Sequence, residues 1–140
     1  MLNGKEGKKY DDIHDLVFSA DSKQFAYTAM QSTEDVNKID KEFVVINGKE
    51  EKKYDGVSLL TFSSDSKQFA YVATEGSFSA GEIKNFIILN GQEGNKHDYI
   101  YSLAFSPDSK YLCYGAMDYG VRDGGYLWWI VEEVDKFGKK

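Results

Sequence analysis

The chain is short of the residues that usually staple or catalyse. Its 140 residues include one cysteine, one proline and two histidines. With Cys113 alone no internal disulfide can form, so packing and hydrogen bonding must hold the fold, and the redox compartment stays open. Cys113 lies in the apolar stretch KYLCYGAM and reads as a buried structural thiol. His14 and His97 have no ligand-type neighbours at metal-binding spacing, so no metal is expected. Long apolar runs are missing too. Nothing approaches the roughly 18 consecutive apolar residues of a membrane span. The opening MLNGKEGKK lacks the apolar core of a secretory signal. The expectation is an unexported chain with no membrane partner, cytoplasmic by default. Basic charge is scarce: 17 Lys and Arg stand against 23 Asp and Glu, for a net charge of -6. That disfavours a nucleic-acid partner, which needs a basic face.

Catalytic motifs are equally sparse. The stretch SFSAG (77–81) comes near a nucleophile elbow but carries Ser77 where the first glycine belongs. DVNKID (35–40) lacks the spacing and terminal Glu of a calcium loop. No phosphate-binding or dinucleotide glycine pattern occurs, so no cofactor is expected. Carboxylates are plentiful but scattered, which gives no positive support to a paired-carboxylate mechanism.

Aromatic residues are abundant: ten Tyr, nine Phe and two Trp make up 15% of the chain. Tyr and Phe suit strands. They also recur. Asn3-Gly4, Asn47-Gly48 and Asn90-Gly91 stand 44 and 43 residues apart, and Phe18, Phe62 and Phe105 keep the same spacings. The shared core reads LVFSADSKQFAYTAM, LTFSSDSKQFAYVAT and LAFSPDSKYLCYGAM. Each unit divides into four short strands. In the middle unit these are LLTF (59–62), a Ser/Asp turn, QFAYVAT (68–74), a polar loop and NFIIL (85–89). An Asn-Gly hairpin and a short charged fourth strand complete the pattern, the latter typified by EKKYD (51–55). Phe69 and Tyr71 should share one face of the second strand, with Ala70 and Val72 on the other.

Four antiparallel strands every 40–45 residues is the period of a propeller blade. FSPDSKYLCY (105–114) resembles the F-S-P-D-G-K-x-L-x-Y signature of WD40-like repeats of the Tol type, also found in the propellers of prolyl-oligopeptidase-like enzymes. The resemblance covers nearly the whole chain. It departs in one regular way, with Ser22, Ser66 and Ser109 where the family has glycine. The Asp-box of sialidase-like propellers fits less well, because SSDSKQFAY lacks its Gly and Trp. No hydrolase domain accompanies the repeats, so peptidase activity does not carry over. The fold class expected is all-β, one repeat domain of three blades with units at about 3–46, 47–89 and 90–131, and an extended or frayed tail at 132–140.

The ends do not match. Residues 1–11 align with an Asn-Gly turn and a fourth strand, whereas YLWWI (126–130) aligns with a third strand and Ile130-Val131 falls where the Asn-Gly should be. The last blade then lacks its own fourth strand, and an open set of three leaves apolar faces in water. A homodimer in which each N-terminal strand completes the other chain's last blade makes six; a closed three-bladed monomer, a nine-bladed trimer and a piece of a longer propeller stay open.

Comparing the units separates scaffold from free positions. Leu16, Leu60 and Leu103 agree, as do Asp11, Asp55 and Asp98, which read as core and turn. His97 matches Tyr10 and Tyr54 and should fill a structural aromatic slot. Just before the first strand the units diverge: Asp12, Gly56 and Tyr99 correspond, then His14, Ser58 and Tyr101, then Asp15, Leu59 and Ser102. The loops 31–42, 75–85 and 118–125 diverge as well. Both sets should open on one face at the channel mouth, so Asp12, His14, Asp15, Tyr101, Tyr119 and Arg122 are the candidate binding residues. The function expected is a non-catalytic scaffold or binding module for a protein, peptide or small ligand. Two other readings stay open: a hydrolase or lyase with an acidic/His site at the channel mouth, and an engineered or recently amplified structural repeat without a ligand.

Overall fold

The computed structural model describes residues 4, 6–32, 40–76, 81–119 and 126–138. They build three antiparallel sheets in chain order. The first contains β1 (Asp12–Phe18), β2 (Phe25–Gln31), β3 (Lys41–Ile46) and β4 (Lys49–Glu50). The second contains β5 (Gly56–Phe62), β6 (Phe69–Glu75), β7 (Lys84–Leu89) and β8 (Gln92–Glu93). The third contains β9 (Tyr99–Phe105), β10 (Tyr111–Asp118) and β11 (Tyr126–Glu133), with no fourth strand among the described residues.

Local chemistry explains the shared meander. Asn47 and Gly48 have φ of 52° and 84°, and Asn90 and Gly91 have 51° and 84°, the left-handed pair that a two-residue hairpin needs. Each Asn side chain also accepts the backbone N–H of Phe25 or Phe69 on the neighbouring second strand. In the Ser/Asp turns, Ser63 Oγ donates to Asp65 Oδ1 at 2.6 Å, and that carboxylate also accepts Lys67 N–H. Ser19 with Asp21 and Ser106 with Asp108 repeat the arrangement.

Ser22, Ser66 and Ser109 have φ of 63–64°, so the resemblance's missing glycine is replaced at a left-handed position. The hydroxyl gives something glycine could not. Ser66 Oγ accepts Asp21 N–H from the preceding turn at 3.0 Å, and Ser109 Oγ accepts Asp65 N–H at 3.2 Å. A hydrogen bond therefore ties each turn to the next.

The two faces of each sheet do different work. Phe69, Tyr71 and Ala73 of the second sheet pack against Ala26 and Val44 of the first. Ala70, Val72, Ile87 and Leu89, on the opposite face, pack against Leu112, Tyr114 and Ala116 of the third. This is the alternation expected of β6 from its sequence. Among the described residues, the outward face of the first sheet and the outward face of the third have no sheet against them.

Five expectations change. First, the divergent positions precede no strand: β1, β5 and β9 begin at Asp12, Gly56 and Tyr99. Each strand carries a bulge where Asp15, Leu59 or Ser102 adopts a φ of 56–57°, which interrupts the register and breaks the simple alternation used to locate strand starts. Second, pairing of Cys113 with Val131 puts Val131 opposite the place of Ile46 and Leu89, so Glu132-Glu133 rather than Ile130-Val131 stands at the hairpin position. Third, the fourth strands pair in two short pieces, at 49–50 and 92–93 and then at single bridges of Tyr54 with Glu42 and His97 with Asn85.

Fourth, identical leucines do not share one environment. Leu60 is 8% exposed between sheets, whereas Leu16 on the outward first sheet is 60% exposed. Fifth, the tail is not frayed over its described part. After β11 a 3-10 turn at Val134–Lys136 carries Phe137 into the second core cluster, beside Gly94, where a Cβ would meet the Phe137 ring at 2.6 Å. Phe137→Ala should therefore cost about 3–5 kcal/mol, the usual loss for a buried Phe, read from urea denaturation. A frayed tail would give no measurable change.

Candidate functional site

The repeat places one aspartate per unit at the base of each loop that follows the second strand. Asp11 Oδ2 accepts Ser32 N–H at 2.7 Å, Asp55 Oδ2 accepts Gly76 N–H at 2.9 Å, and Asp98 Oδ2 accepts Tyr119 N–H at 2.6 Å. Lys41 pairs with Asp55, and Lys84 with Asp98. These lysines, with the loop N–H groups, hold both carboxyls below the usual aspartate range. The agreement of Asp11, Asp55 and Asp98 thus marks a clamp on the loop base, while the loop tips differ. Most of 31–42, 75–85 and 118–125 beyond those bases, with Arg122 and most of the SFSAG stretch, falls outside the described residues.

Asp12, His14 and Asp15 do come together. His14 Nδ1 lies 3.7 Å from Asp12 Oδ2, and His14 Nε2 lies 3.7 Å from Asp15 Oδ2 and 4.0 Å from Glu42 Oε1. All these are pairing distances for a protonated imidazole. The strand pairing of His14 with Thr28 points it to the inward face, next to Glu42, which also accepts Val57 N–H of the second sheet at 3.0 Å. By sequence Glu42 is the last residue of the divergent loop 31–42 and does not stand out there; it sits in β3. Among the described residues no group of three or more His, Cys, Asp or Glu has a geometry that could hold a metal ion.

Tyr101 and Tyr119 form a separate cluster on the third sheet, joined by Tyr99. The Tyr99 and Tyr101 rings stack with centroids 6.2 Å apart, and Tyr119 meets Tyr99 edge-on at 5.9 Å. Contact with Tyr99 raises the Tyr119 hydroxyl above its ordinary pKa. A shallow cavity of about 200 Å³ opens between Tyr99, Tyr119, Asp98, Gly81 and Ile83. Tyr99 was visible in the sequence as a divergent position, opposite Asp12 and Gly56, but its place between two other tyrosines was not. Within one chain, then, the candidates fall into an acidic group on the first sheet and an aromatic group on the third.

His97 is structural, as its alignment with Tyr10 and Tyr54 indicated. It is buried edge-on against Tyr114 and Trp128, and its Nδ1 lies 2.9 Å from Asp118 Oδ2. Tyr54 fills the same slot against Phe86 and donates to Glu93.

The fold itself is that of a β-propeller. No family model matches the chain, and no curated protein matches it. Among solved structures it is similar to the β-propeller domain of the Trilobed protease from Pyrococcus furiosus, described as having an open velcro topology, with 15% identity and a TM-score of 0.58. The match covers 92% of this chain and 41% of that one, so the chain spans well under half the length of its neighbour. At that identity the likeness shows the fold alone. No helix among the described residues is long and apolar enough to cross a membrane.

The clamp has a pH signature. A carboxyl whose folded pKa is lowered stabilises the fold above its ordinary range near 4 and loses that contribution as pH falls through the folded value. Asp55→Asn keeps the acceptor for Gly76 but removes the charge opposite Lys41. Its cost at pH 7 should be at most about 1 kcal/mol, because Lys41 is partly solvated. The difference from the parent protein should shrink below roughly pH 4, read from denaturation midpoints across pH.

Proposed function

We propose that this chain is half of a six-bladed propeller made by two copies, and that the ring works as a non-catalytic scaffold binding a protein, peptide or small ligand. Its binding surface is the loop face. The resemblance of FSPDSKYLCY to Tol-type WD40-like repeats supports a ring of repeated blades.

One observation carries the reading. The loop-base aspartates are the same in every unit, but the residues they hold up are different in each. Three copies of a rigid mount with unlike tips suit recognition of an asymmetric partner. On the strands beside the mount of the first blade the chemistry is anionic, with Asp12, Asp15 and Glu42 around His14. On the third it is aromatic, with Tyr101, Tyr99 and Tyr119. Acidic and aromatic groups together favour ligands that carry positive charge on an apolar body. Arg122, the remaining candidate by sequence, lies outside the described residues.

A phage-displayed random peptide library selected on the purified protein tests this. Recovered peptides should be enriched in Lys, Arg and aromatic residues, and should bind His14→Ala/Asp15→Ala about tenfold more weakly, ~1.4 kcal/mol. Unchanged binding would remove the acidic group from the site. Against p-nitrophenyl esters and glycosides the protein should show no turnover. Turnover abolished by His14→Ala and by Asp15→Ala singly would replace the scaffold with a hydrolase.

A further inference from the structure

We infer that two copies join head to tail by repeating the chain's own sheet-to-sheet interface, the third sheet of one copy seating on the first sheet of the other. This rests on the two-copy ring proposed above and specifies its contacts. Three independent features of the first and third sheets point to the same junction.

The first is the pair of outward faces. Strand pairing makes Trp129 and Val131 equivalent to Ile87 and Leu89 of the second sheet. Trp129 is 72% exposed and Val131 62%, whereas Ile87 and Leu89 are 1% and 3% exposed against the third sheet. At the other end Ile13, Leu16 and Phe18 are exposed, although their counterparts Val57 and Leu60 are buried and Phe62 is partly buried. A groove of about 600 Å³ lies there between Tyr10, Leu16, Phe18, Phe25 and Tyr27. Each face therefore has the composition of a buried blade face, and each is the complement of the other.

The second is a strand without a sheet and a sheet without a strand. Residues 6–11 already lie as Tyr54 and its neighbours do. Tyr10 donates to Glu50 as Tyr54 donates to Glu93, Lys8 pairs with Glu50 as Lys52 pairs with Glu93, and Tyr10 packs edge-on against Phe43. Asp11 N–H bonds Met30 O as Asp55 N–H bonds Thr74 O. What residues 6–10 lack, among the described residues, is the third strand that Tyr54 finds in Glu42. β11 is a third strand whose outer edge pairs with nothing among the described residues. The register of the first sheet places Glu6 opposite Ile130 and Tyr10 opposite Leu127 of the second copy.

The third is the serine link. Ser66 and Ser109 are buried and accept the N–H of Asp21 and Asp65. Ser22 has the same left-handed backbone but is exposed, and Asp108 N–H has no such acceptor among the described residues. Asp108 N–H of one copy donating to Ser22 Oγ of the other completes the series. A random apolar partner would cover the faces but would match neither the strand register nor this bond. A second copy of the chain supplies all three.

The arrangement seats the tyrosine group of one copy, which shares its face with Trp129, on the outward face of the other copy's first sheet, one sheet away from the acidic group on that sheet's inward face. It also covers Cys113, which is half-buried in the single chain and not buried as its apolar stretch suggested, whereas its counterparts Ala26 and Ala70 are fully buried between sheets.

Light scattering and iodoacetamide labelling of Cys113 on the full chain test the junction. Trp129→Lys and Leu16→Glu alter exposed side chains on opposite faces, so both should fold. The parent should have twice the 15.9 kDa chain mass and a protected Cys113. Each variant alone should run as a monomer with Cys113 labelled at least tenfold faster. Mixing the two variants should restore the doubled mass, because a mixed pair keeps one junction with both parent faces. A monomeric parent would overturn the ring and the junction together. A doubled mass that persists in both variants, or that mixing fails to restore, would overturn the head-to-tail junction alone. A mass of three chains would keep the junction and overturn the six-bladed ring.

Discussion

Everything in this molecule depends on sheets packing face to face. A strand of alternating side chains makes a sheet with two apolar faces, and each face needs another sheet. The middle sheet satisfies both requirements. Its Phe69, Tyr71 and Ala73 meet the first sheet, and its Ala70, Val72, Ile87 and Leu89 meet the third. Full burial of one large apolar side chain is worth about 1.5–3 kcal/mol, so these two contacts dominate the stability of the chain. The serine bonds between turns and the Asn side chains across strands fix register and angle, with individual contributions of about 1 kcal/mol.

That constraint also determines where the sequence could be read and where it could not. Asn-Gly turns, Ser/Asp turns and the alternation in QFAYVAT were legible because each is a local rule acting within a few residues. The slot filled by Tyr10, Tyr54 and His97 was legible because the repeat is its own comparison. The bulges were hidden, since a left-handed Leu59 or Asp15 has no sequence signature. They displaced the strand starts and made Asp12, His14 and Asp15 look like loop residues. The docking of Phe137 was hidden as well, because its partner is Gly94, far away in sequence and unremarkable within it.

The candidate site was half legible. Divergence among units pointed to His14 with its two aspartates, and the geometry adds Glu42, which looked like the end of the divergent loop 31–42 and is part of β3. Divergence also pointed to Tyr101, while Tyr99 drew less notice although it links Tyr101 to Tyr119. No local rule could show that one group lies between the first and second sheets and the other on the outward face of the third.

The central claim is that the outward faces of the first and third sheets are blade faces awaiting each other. Electron-microscopy class averages of the purified full chain test it most directly. The account predicts closed rings with six blades and two-fold symmetry. Open three-bladed arcs would contradict it.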